Sequence, residues 1–349
     1  MFDANASRTD PRPGPHRALA TTPPVAPGAA RRTTSIDVTR PDGLLGPCAI
    51  VLRGRDVAAV AGGRTEVAAE VALTVRVDPA GRLGEATGPG AAVLEPLAGA
   101  SLRSGFGRRL AEALPGDLER RALVASLLED MAGAFLVSGY APLRAGLLPA
   151  DPATATQRAA LQADVCIGWR VGGLLHRVLA EEGRSAVPLG PTAPAIERAD
   201  PAGWHDLPPL GEGTVRRRRL LEAVPSSAGT GAAIRAHFRD SHAGGDGETV
   251  MHEYAVDAEV DGDGRIARVD VDPRVLPWEA CPLAVASAAR VVGVALADLP
   301  GHVRADVVGT STCTHLNSTL RSLADARALL APAGLGAPDV RVPWSRRTT

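Results

Sequence analysis

Four residues in the last third of the chain carry the side chains of a metal or thiol centre. They are His252 in "MHEYAVDAEV", Cys281 in "EACPLAV", and Cys313 and His315 in "STCTHLNS". Thiolates and neutral imidazoles are the donors zinc prefers, and four of them would close a tetrahedral shell. A transition metal, zinc first, is therefore the cofactor this set implies. The same residues could instead form a thiol enzyme, with Cys313 or Cys281 as nucleophile and His315 or His252 as base. A third reading involves no chemistry: cysteines pack as small hydrophobes, histidines satisfy core hydrogen bonds, and the protein is a non-catalytic binding or assembly body. Spacing leaves all three open. There is no Cys-x-x-Cys, and Cys281 and Cys313 stand 32 positions apart.

Candidate substrate-binding groups lie upstream. Arg218 and Arg219, in "VRRRRL", could hold a small acidic molecule such as a phosphate or carboxylate. Asp240 and His242, in "FRDSH", could pair a carboxylate with an imidazole. Ordinary ion pairs on a strand use the same residue types. Glu253 after His252 starts like a metalloprotease helix, but "HEYAV" lacks the second histidine. Asp257, Asp261 and Asp263 suggest a calcium loop, yet Arg268 stands where its bidentate glutamate belongs. All 38 basic residues are arginine. Without lysine there is no Schiff base, no pyridoxal phosphate anchor and no lysine-containing phosphate loop.

The elements that must position these groups follow from periodicity. "HEYAVDAEV-DGDG-RIARVDV" reads as a hairpin, with His252, Tyr254, Val256, Ala258 and Val260 on an apolar face and Glu253 pointing outward. Pro282 suits the first position of a helix, which puts Cys281 at or beside its N-cap. A last helix begins near Thr312–Thr314, burying Leu316, Leu320, Leu323 and Ala324 with Cys313 on the same side. Helix N-termini carry positive partial charge and favour thiolate over thiol.

Two stretches of the chain are alike. Arg53–Leu83 and His237–Ile266 each run from Arg-Asp through a Gly-rich turn into an alternating apolar strand. Asp56 and Asp240, like Thr65 and Thr249, lie at a constant offset of 184 residues, and arginine pairs precede both copies at Arg31–Arg32 and Arg218–Arg219. An internal duplication of an antiparallel hairpin or sheet packed on helices is expected, hence an α+β fold. The first copy has Ala69 where the second has His252. The expected division is a disordered Pro- and Ala-rich leader over 1–28, a degenerate first repeat over 29–148, a helical insert and Pro-rich connector over 149–215, the second repeat over 216–332 and a tail over 333–349.

Net charge is −1, which points to neither nucleic acid nor an anionic membrane surface. No unbroken apolar run reaches the roughly 18 residues of a membrane span. Four dispersed cysteines, including Cys48 and Cys166, suit a reducing cytoplasm. Oligomeric state is left open.

The arginine pair, the inward histidine, Cys281-Pro282 and the terminal "CTHL" at Cys313–Leu316 resemble the pattern of the domain of unknown function 2889 family, over about residues 216–330. The resemblance implies no reaction. It does make the Cys/His set the motif of the family, without choosing between metal and thiol.

Overall fold

The computed structural model describes residues 13–60, 62–147, 152–183, 185–226 and 230–331. Its strands are β1 (Ala30–Thr39), β2 (Cys48–Val60), β3 (Arg64–Val77), β4 (Leu83–Thr87), β5 (Val215–Pro225), β6 (Ala232–Gly244), β7 (Gly247–Val260) and β8 (Ile266–Val275). The helices are α1 (Phe106–Ala113), α2 (Pro115–Glu119), α3 (Leu123–Val137), α4 (Tyr140–Arg144), α5 (Pro152–Gln162), α6 (Leu174–Glu182), α7 (Leu299–Asp306), α8 (Thr314–Ser322) and α9 (Ala326–Leu330). The class is α+β, as the patterning implies. The two small sheets expected are, however, a single one. All eight strands pair antiparallel in the order β4-β3-β2-β1-β5-β6-β7-β8, with β1 against β5 joining the halves.

The order is symmetrical about that junction. In each half four strands lead into a 3-10 helix, Ala91–Leu97 or Cys281–Val291, and then into α-helices. Each second hairpin bulges at the same place, between Asp56 and Val57 and between Asp240 and Ser241. Arg32 clamps Asp56 with bonds of 2.8 and 2.7 Å, and Arg217 clamps Asp240 with bonds of 2.8 and 2.9 Å. Across the junction Arg31 pairs with Glu222 while Arg216 pairs with Asp37. The arginines equivalent to Arg31–Arg32 are thus Arg216–Arg217, two positions before the pair that spacing suggested. Four arginines in a row carry no phase; strand register supplies it.

Alternation on the strands builds two faces. On one, Ile36, Ile50, Leu52 and Val75 pack under α1 and α3, and Ile234, Phe238, Tyr254 and Val256 pack under Cys281–Val291 and α7–α9. The segment Leu123–Arg144 is long and apolar enough to cross a membrane, although Glu129 and Asp130 interrupt its apolar run. Its most apolar window is 56% buried, and α3 packs on β1, β2 and β5, as a core helix does.

The other face is covered by chain that reads as loose in the sequence. Residues 13–28 of the expected disordered leader run extended along the sheet: Leu19 N–H donates to Glu253 at 2.9 Å and Thr22 N–H to the Ile196 carbonyl at 3.1 Å. Trp204, 1% exposed, donates its ring N–H to Thr22 Oγ1. Glu253 therefore does not point into solvent. It is fully buried, and it accepts from Arg239 Nε at 2.8 Å while its other oxygen takes the Leu19 amide. Residues 1–12 and the expected tail over 333–349 lie outside the described residues.

Candidate metal centre

Three elements converge on one point of the helix-covered face. β6 presents Asp240, β7 presents His252 directly opposite it in the ladder, and α8 brings His315 down on both. The start of α8 fixes the last of these. Cys313 is its N-cap and accepts the Asn317 N–H at 2.8 Å through its carbonyl, while Thr312 turns its hydroxyl back to Gly309. Leu316, Leu320, Leu323 and Ala324 are fully buried, as their spacing implies, which locks the rotation of the helix.

The donor atoms of Asp240, His252 and His315 all lie within 4.8 Å of one another. His315 Nε2 is 3.5 Å and His252 Nδ1 3.9 Å from Asp240 Oδ2. Ligands about 2.0–2.1 Å from a tetrahedral ion stand roughly 3.3 Å apart, so these separations need little adjustment. The two imidazoles stack, with centroids 3.7 Å apart and planes 16° from parallel. Burial pushes the His252 imidazole down to about 4, against the pull of Asp240. Burial, then His252, Arg217 and Arg219, hold His315 well below the ordinary imidazole range. Both rings are neutral at pH 7, the state that ligates metal. His252 Nδ1 is buried without a hydrogen-bond partner, and an orphaned buried nitrogen is costly unless something binds it.

Cys313 lies on the far side of His315, its sulfur 3.8 Å from Nδ1, and against the Tyr254 hydroxyl. Cys281 sits one layer further. It is the first residue of its 3-10 helix, with Ala280 as N-cap. The Cys281 sulfur and that of Cys166 flank the same glycine, 3.5 and 3.9 Å from where a Cβ on Gly168 would stand. The tight group of donors thus holds both predicted histidines but neither predicted cysteine; Asp240, read as substrate-binding, completes it. Burial pushes all three thiols up, Cys166 to about 11, so the helix N-termini do not produce the reactive thiolates expected.

The remaining candidates are dispersed. Arg218 lies on the opposite sheet face, paired with Glu197 and Glu248. Arg219 shares the face of the site but is clamped on Asp130 and Ser318. His242 packs edge-on against Tyr140. Two contributors escape sequence reasoning. Arg217 is indistinguishable within four arginines. Cys166 arrives only because the Ile167 N–H docks on the Thr312 carbonyl at 2.9 Å, a contact across 145 residues.

Residues 215–329 match the family described as "Protein of unknown function (DUF2889)", a span running from β5 into α9 and holding Asp240, His252, Cys281, Cys313 and His315. No curated protein and no solved structure matches the chain.

Proposed function

Because residues 215–329 match the DUF2889 family, whose description names no reaction, we propose a function from geometry: the chain holds one divalent transition metal on Asp240, His252 and His315. The observation that carries this is the three-atom cluster itself, with uncharged imidazoles and one buried ring nitrogen left unbonded. Two imidazoles and a carboxylate leave coordination positions open, as catalytic sites do and closed structural sites do not. A water or an acidic substrate oxygen could occupy such a position and be polarised there. The guanidinium groups of Arg217 and Arg219 stack 4.9 and 4.8 Å from the Phe238 ring that adjoins His315 and are held by Asp240 and Asp130; a small acidic molecule is the substrate class we propose. Cys313 beside His315 keeps zinc the first expectation, although this donor set equally suits Fe(II).

The first half supports the reading by contrast. It repeats the Arg–Asp clamp and the bulge, but Ala69 pairs with Asp56 where His252 pairs with Asp240. We read the chain as a duplicated unit whose first copy serves as scaffold for the second.

Metal content after reconstitution with zinc, iron and manganese, measured by mass spectrometry, tests the proposal. Wild type is expected to retain a single metal. His252→Ala, His315→Ala and Asp240→Asn should each lower retention about tenfold or more, and Cys281→Ser should leave it unchanged. Folded wild-type protein that holds no more metal than His252→Ala would overturn the assignment.

A further inference from the structure

A second polar cluster lies on the symmetry junction, between α3 of the first half and α8 of the second. A small cavity of about 30 Å³, open to solvent at its mouth, lies there beside Arg321 and Glu129, both half-buried. Its wall carries Arg32, Arg121, Arg219 and Arg321 together with Ser126 and Ser318. None of the three proposed metal ligands lines it.

The charges in this wall do not cancel. Asp56 is taken by Arg32 and Asp130 by Arg219. Asp325 is taken by Arg121, and Glu129 is shared between Arg121 and Arg304. Every carboxylate around the cavity therefore has its cation. Arg321, on α8, is left over: among the described residues its guanidinium makes no ion pair and no hydrogen bond at contact distance. Arg121 spends its Nε and Nη2 on Asp325 and Glu129, leaving Nη1 without a bond. Asp130 and Glu129 act on Arg321 only at a distance, each being paired with another arginine, and a guanidinium half out of water without a directly paired anion is costly, while its fork of donors matches a phosphate oxygen pair.

We propose that this cavity binds a phosphate-type oxyanion, with Arg321 as its principal ligand and Arg121 as its second. The ligand is either free phosphate or the phosphate end of a small molecule; the shared chemistry is a compact dianion that supplies the missing charge between the two halves. Arg304 and Arg219 pair with the flanking carboxylates Glu129 and Asp130, which also line the cavity. The proposal stands independently of the metal reading.

Calorimetric titration of the full chain, stripped of metal by chelation, tests it with inorganic phosphate and with glycerol phosphate, against sodium chloride at matched ionic strength. Wild type should bind phosphate saturably. Arg321→Gln should weaken that binding at least tenfold, and Arg321→Lys less. Arg268→Gln, on the exposed face of β8, should leave it within twofold. Tighter binding of glycerol phosphate would identify a phosphomonoester, and tighter binding of inorganic phosphate a free anion; either supports the site. Folded wild type without saturable uptake of either probe would overturn the proposal, as would a folded Arg321→Gln that binds as wild type does. Metal binding is not needed for either result, so failure here is distinct from failure of the metal site.

Discussion

His205 stands between Thr33 and Ser35, its ring nitrogens 2.9 and 2.8 Å from their hydroxyls. Burial, followed by the fields of Arg55 and Arg216, drives its pKa from 6.5 down to about 3. The folded state thus refuses a proton that the unfolded chain accepts below about 6.5. Stability is complete above that value and falls as pH drops from 6.5 toward 3, by about 1.4 kcal/mol per unit for this group. Urea unfolding at pH 7 and pH 5 should therefore show a destabilisation in wild type that His205→Gln reduces by about 2 kcal/mol. Equal pH slopes in the two proteins would show that His205 does not carry this proton linkage. Residues of this kind divide sharply in how legible they are. His252 could be placed on the inner face from the alternation of one strand, and Leu316, Leu320 and Leu323 from helical spacing. The proposed ligand role of Asp240 could not, because it depends on which of four adjacent arginines claims the carboxylate and on a bulge at Asp240/Ser241 that sets the ladder. Glu253 misled for a related reason: it is covered by the Leu19 amide, far off in the chain, and paired with Arg239 and His237 on the neighbouring strand.

At the scale of elements, α3 controls the site from the other half of the molecule. A Cβ on Gly133 would stand 2.5 Å from Arg217 Nη1, and Arg217 is the group that grips both oxygens of Asp240. Glycine is required here by close approach and not by backbone shape. Gly133→Ala should push the guanidinium off the carboxylate, costing about 1–3 kcal/mol as overpacking does and lowering metal retention although no ligand has changed. Thermal unfolding together with metal content checks both effects. An alanine variant with wild-type stability and wild-type metal content would mean that Arg217 can shift freely. The hairpin β7–β8 and the helix α8 were readable because their turns and stripes are local. The seating of α3 on β5 was not, since it rests on matching a glycine in one half to an arginine in the other.

For the molecule as a whole, the decisive feature is that two halves of matching strand order share one sheet. The spacing that suggests a duplication predicts two similar bodies; nothing local predicts that β1 and β5 pair or that their charges cross. Yet Arg216 finds its carboxylate on Asp37, Arg31 finds its own on Glu222, Arg219 reaches Asp130 and Arg121 reaches Asp325. Each of these joins one half to the other, and each arginine is under 10% exposed. Separating the halves would strip these four guanidinium groups of their anions, return them to water with the apolar surface around them, and expose the β5 edge. The segment 213–331 expressed alone should therefore fail to fold, even though it contains every proposed metal ligand, and should show neither dispersed amide resonances nor metal retention. Adding the segment 13–147 should restore both. The full chain should unfold in a single cooperative transition by calorimetry. A second half that folds and holds metal by itself would refute this coupling: the first half would then be an appendage, and the paired charges across β1 and β5 would be incidental to the site.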